Sequence, residues 1–129
     1  MTVAKALFAR RPHSQKSSRF DLRYTPQAGD QVTVGHLSYD DGVWTFVYDD
    51  EFRGRRMEFR PIEGFKDLDR VYRSKILFPF FAVRIPDEGR ADIQDRLRKD
   101  HIKHPDLSDM LRIFGRRVVS SPGFELVAA

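Results

Sequence analysis

The sequence predicts an α+β domain: a small antiparallel sheet with a β-hairpin, followed by two or three helices packed on it. Three observations carry this reading. Strand-like alternation dominates the first half of the chain and gives way to helical spacing beyond Leu77, two β-rich runs flank an Asp-Gly turn, and a last apolar run follows a Pro-Gly break. With 129 residues, the chain suits one core that buries roughly two-thirds of the unfolded surface.

Taken in order, residues 1–18 mix serines, Pro12 and basic side chains without apolar periodicity and read as a flexible basic tail, leaving 19–129 as the single domain. RFDLRYT (19–25) alternates Phe20, Leu22 and Tyr24 with charged neighbours, the pattern of a half-buried strand. VTVGHLSY (32–39), Asp40-Asp41-Gly42 and VWTFVYD (43–49) read as a hairpin, because glycine takes the positive φ of the turn. RMEFRP (56–61) is a further candidate strand. In LFPFFAVRIP (77–86), Pro79 suits a first helical turn and Pro86 ends it. RADIQDRLRKDHIKH (90–104) places Ile93, Leu97 and His101 on one stripe of a surface helix. DLSDMLRIFG (106–115) has Asp106 as N-cap, Leu107, Met110, Leu111 and Phe114 at helical spacing, and Gly115 at its end. FELV (124–127) returns as a strand.

The net charge of +4 is unevenly placed. Residues 1–30 carry six bases and two acids, so residues 31–129 are left with 17 of each and are neutral. A basic arm containing Arg10, Arg11 and Lys16 can attract phosphates, but the body lacks the one-signed face of a dedicated nucleic-acid domain. No cysteine is present, no stretch has the length of a membrane span, and the N-terminal apolar run is too short for a secretory signal; a cytoplasmic protein is expected.

Catalytic patterns are sought without success. No phosphate-binding loop exists, and Phe114-Gly115 follows Ile113, which cannot hold a metal as the aspartate of a kinase would. His101 and His104, with Asp100 and Asp106, offer a zinc-like spacing, but Pro105 interrupts and a solvated helix end is the simpler reading. Asp49, Asp50 and Glu51 read as a solvated loop. No enzyme activity, metal or cofactor is expected.

Two readings compete for Trp44, Phe46 and Tyr48, which alternation puts on one strand face with Arg53, Arg55 and Arg56 nearby. Exposed, the rings form a platform for single-stranded nucleic acid flanked by guanidiniums. Buried, they are the core face of the sheet, the reading favoured here because each ring brings a large burial gain.

Four blocks in register resemble the N-terminal subdomain of HipA-type toxin kinases: Val34-Gly35-His36-Leu37, the hairpin from Tyr39 to Tyr48, Phe80-Phe81 leading to Ile85-Pro86-Asp87, and Asp106-Leu107 with Met110 to Arg116. The resemblance spans about residues 20–127. It implies a non-catalytic α+β cap on a Ser/Thr kinase core, with a helix-turn-helix DNA-binding protein as further partner. Some systems encode the cap separately, as HipS in three-component modules, so the chain is expected to act as an antitoxin or regulatory subunit docking on a HipA-like kinase core from a neighbouring gene. It departs from the family pattern at Ala82-Val83, where an Asp-Asn pair is common, and at FRPIEGFKDLDRVY (59–72), which lacks a Ser/Leu-rich strand. LFPFFAVRIP is too apolar for one face of a short helix to bury inwardly. Phe80, Phe81 and Ile85 are therefore assigned to the core, and Phe78, Val83, Arg84 and Asp87 are the expected docking residues, with a homodimer through the same surface as the alternative.

Overall fold

The computed structural model describes residues 17–129. Strands β1 (Ser18–Tyr24), β2 (Val32–Asp40), β3 (Val43–Tyr48), β4 (Tyr72–Ser74) and β5 (Phe124–Ala128) form one sheet in the order β4-β3-β2-β1-β5, with every neighbouring pair antiparallel. Helices α1 (Asp50–Gly54), α2 (Pro79–Ala82), α3 (Ala91–Lys99) and α4 (Leu107–Phe114) complete the α+β fold. None of them is long and apolar enough to cross a membrane. The tail reading concerns mainly residues 1–16, which lie outside the described residues; Ser18 already opens β1.

The hairpin forms where the Asp-Gly signal puts it. Asp41 and Gly42 both have positive φ, at 51° and 79°, as a two-residue turn matched to strand twist requires. Behind the turn, Trp44, Phe46 and Tyr48 are 2%, 0% and 2% exposed and join Phe20, Leu22, Val32, Val34, Leu37 and Leu126 in the core. These three rings are the inner face of the sheet, and Trp44 is not available as a stacking platform.

A bulge sets the parity of β2. Leu22 faces Gly35 but Arg23 faces Thr33, so Val34 is the extra residue. Strict alternation from Val32 and Val34 would send His36 inward; the bulge instead buries Leu37 and turns His36 to the outer face. There His36 lies across from Asp21 on β1, with Nδ1 at 2.8 Å from Asp21 Oδ1 and Nε2 at 2.8 Å from Asp49 Oδ1. Burial pulls the His36 pKa down, but hydrogen bonds and charge from the two carboxylates outweigh it, and the net shift is upward. A raised histidine pKa stabilises the fold fully below the unfolded value, and this contribution is lost as pH rises through the folded value. The urea midpoint is therefore expected to fall as pH climbs from slightly acid to slightly alkaline, and to fall less in His36→Gln. An equal fall in the two proteins would refute this account.

Beyond the hairpin the structure departs from the sequence reading in several places. Asp49, Asp50 and Glu51 are not a loop: Asp49 caps α1, accepting from the Glu51 amide at 2.9 Å, while the acids occupy the first turn and Phe52 is buried. RMEFRP is not a strand. It turns back on Arg55, whose carbonyl accepts from the Glu58 and Phe59 amides, and Phe59 stacks on Phe52 at 5.4 Å instead of joining the sheet. The edge strand is β4, paired with β3 through Trp44–Ser74, Thr45–Arg73 and Phe46–Tyr72.

His101 does not extend the stripe of α3. It has φ of 59° just past the helix end, where the Ile102 amide bonds Leu97 O at 2.9 Å and the His101 amide bonds Arg98 O at 3.0 Å. This stop folds Ile102 back onto Ile93, Leu97 and Met110, a small second core under α3 and α4. Helix α4 begins at its expected cap: Asp106 accepts from the Asp109 amide at 2.8 Å, and Asp109 returns the bond to the Asp106 amide at 3.1 Å.

Candidate docking site

Helix α2 is a single turn held from one side. Pro79 stands at its start, where no amide is needed, and Phe81 is fully buried among Phe46, Phe65 and Phe80, at ring distances of 5.5, 6.0 and 5.1 Å. With one side chain in four committed inward this way, the neighbours turn outward. Phe78 is half-buried, its ring edge-on to Phe65 at 5.1 Å, and Val83 is 58% exposed.

These two side chains border one cleft. It has a volume of about 430 Å³, is walled by Glu63, Gly64 and Phe65 on one side and by Phe78, Phe80 and Val83 on the other, and presents a mainly apolar surface to solvent. The wall at 63–65 stays in place because of Tyr48. Its hydroxyl donates to Phe65 O at 2.6 Å and accepts from the Ile62 amide at 2.9 Å, pinning a segment that has no regular structure. Burial pushes the phenol up to about 12, with the Ile62 amide pulling the other way. Glu63, Gly64 and Phe65 were missed from the sequence; Ile62 and Phe65, buried three residues apart around Gly64 with φ of 93°, were the available signal of a packed turn.

The remaining expected docking residues lie elsewhere. Arg84 is not on the docking edge: it is 3% exposed, and its Nη1 donates to Gly115 O and Arg116 O, both at 3.2 Å, beyond the C-terminal end of α4. This placement suits a cation, since carbonyls at a helix end carry partial negative charge. Burial lowers its pKa, and Nε and Nη2 are buried without a hydrogen-bond partner. Asp87 is exposed, and its carboxylate accepts from the Gly89 amide at 2.9 Å within its own turn.

For the nucleic-acid alternative, Arg10, Arg11 and Lys16 fall outside the described residues. Arg55 is bonded to Glu58 at 3.0 and 2.7 Å and lies over the Phe59 ring, and Arg56 reaches Asp69 at 3.0 Å. With Trp44 buried as well, Trp44, Arg55 and Arg56, the described members of this set, do not come together as a face for bases.

The family model for the HipA N-terminal domain matches residues 28–120. The chain belongs to that family. No curated protein and no solved structure matches it. In this HipA N-terminal domain the matched stretch runs from the turn before β2 to the segment after α4, and so contains the hairpin, α2 and both walls of the cleft. The two strands outside it, β1 and β5, pair with each other from Phe20–Ala128 to Tyr24–Phe124, so the flanks close one edge of the sheet together. Membership links the chain to the context of HipA-type toxin systems.

Proposed function

We propose that this protein is a non-catalytic binding module, an antitoxin or regulatory subunit that docks on a HipA-like Ser/Thr kinase core in the cytoplasm, and that the α2 cleft is the contact. The observation that supports the reading is an apolar cleft facing solvent at the segment where the family pattern changes, with Val83 on its rim. Apolar surface gathered into a concavity marks a place where another protein covers it. The wall at 63–65, held by Tyr48, and the single turn of α2 frame a cleft open to an incoming side chain.

The test is co-expression with the adjacent reading frames, followed by capture on the tagged chain. A kinase-like protein is expected to be retained by the wild type. Val83→Asp should weaken retention by about 30-fold or more, the effect of a central contact worth about 2 kcal/mol or more. Its melting temperature should stay close to the wild type, because Val83 is exposed. Retention unaffected by Val83→Asp would remove the cleft from the contact, and self-association in place of kinase capture would favour a homodimer through the same surface.

A further inference from the structure

Beside the docking cleft, across Val83, lies a second cleft of about 520 Å³ between the end of α2, the first turns of α3 and Phe114 of α4. Its chemistry is different. Arg84, Arg90 and Arg96 line it together with one carboxylate, Asp92. Arg90 is committed to Asp92 through bonds of 3.1 and 2.7 Å, and Arg96 to Asp100 at 2.9 Å. Arg84 has no such partner: it forms no ion pair among the described residues, and residues 1–16 contain no acidic side chain that could supply one. Two carbonyls take up Nη1, and the Phe80 ring lies 5.5 Å from the guanidinium carbon. Nε and Nη2 are left over, on a side chain that is 97% buried because it is 3% exposed.

A guanidinium taken out of water keeps its charge and all five donors, so burial without a counter-ion is costly unless something else supplies acceptors. Nε and Nη2 are the pair that a planar or tetrahedral oxyanion engages side-on with two parallel bonds. The first turn of α3 does not add to this field, because its Asp92 carboxylate offsets the helix end. Its N-cap, Arg90, gives no side-chain cap, and Asp92 and Ile93 of that turn line the cleft.

We propose that this cleft is an oxyanion site, in which a phosphate or carboxylate group accepts from Nε and Nη2 of Arg84, with Arg90 and Arg96 at its rim. Nε and Nη2 are covered in the free chain, so entry of the anion has to uncover them at the cleft wall, and Arg84 is the residue that decides binding. The site does not depend on the docking reading, because its determinants lie in this chain alone.

The experiment uses the full chain and two probes, inorganic phosphate and acetate, at ionic strength fixed with sodium chloride. In ¹H–¹⁵N spectra the Arg84 Nε–H signal, assigned by its loss in Arg84→Met, is expected to move saturably with a millimolar Kd. The melting temperature should rise by about 3–6 °C at ten times that Kd, and should not rise in Arg84→Met. A response to phosphate but not acetate identifies a phosphate site, and a response to acetate alone or to both identifies one that also takes a carboxylate. An Arg84 signal unmoved by either anion, or a thermal response of equal size in Arg84→Met, overturns the proposal. If Arg84→Met does not fold, Arg84→Lys provides the assignment, since it keeps the charge but lacks Nε and Nη2.

Discussion

Phe46→Ala is expected to cost about 3–5 kcal/mol of folding stability, a large part of the 5–15 kcal/mol typical of a domain this size. Phe46 is fully buried at the point where three parts of the molecule meet: its ring lies 5.2 Å from Tyr48 in the sheet, 4.5 Å from Phe65 in the irregular segment and 5.5 Å from Phe81 in α2. The ring sits over the bulge, where a Cβ on Gly35 would be 2.6 Å from its Cζ and 2.7 Å from Val47 O. Little can collapse into the space that alanine leaves, because the backbone of β2 is fixed by its pairs on both sides. With a urea slope of about 2 kcal/mol/M, the midpoint should fall by about 1.5–2.5 M. A fall below about 0.5 M would show that Phe46 does not join the sheet to α2 as described.

Tyr48→Phe is the second large effect, and it links stability to the cleft proposed above as the docking contact. Removing one oxygen leaves the Ile62 amide and the Phe65 carbonyl without their buried partner, at about 1–3 kcal/mol for each group left unsatisfied. The wall at 63–65 loses its anchor while Val83 and Phe78 are unaltered, so under the proposed function kinase retention should weaken although no side chain of the proposed contact is changed. Alkaline pH gives a separate readout. The Tyr48 pKa, about 12 when folded, lies above the ordinary tyrosine value of 10.0. Its contribution is therefore complete below pH 10 and is lost as pH rises from there towards 12. Wild type should lose stability across that interval more steeply than Tyr48→Phe. Equal slopes, together with unchanged hydrogen exchange at Ile62, would contradict this assignment.

Much of the frame was legible locally. The hairpin, the cap of α4, the turn opened by Pro79 and the return of the chain as β5 depend on short-range signals: an Asp-Gly pair, an aspartate three residues before its return partner, a proline where no amide is needed. The same holds for the aromatic face of β3, because rings alternating along a strand are best buried. Charge patterns were less legible. Three acids in a row read as solvated, yet the first of them caps α1, since the helix that follows needs an acceptor for its free amides.

The sequence by itself determined the hairpin, the three helices beyond Leu77, the returning strand β5 and the membership of the HipA N-terminal domain family, because each rests on residues close in the chain or on their order; α1 and β4 were not among them. Only the tertiary structure decided the rest. The bulge at Val34 reverses the parity of β2 and brings His36 to Asp21, an outcome set by pairing with β1 rather than by β2 itself. Arg84 follows Val83 directly, yet one is buried and the other exposed, because carbonyls more than thirty residues away accept from the guanidinium while none of the described residues covers the valine. The cleft beside them exists because Tyr48 reaches across to hold Ile62 and Phe65. Such contacts join residues far apart in the chain, so periodicity, which registers only neighbours within a turn or a strand, carries no trace of them.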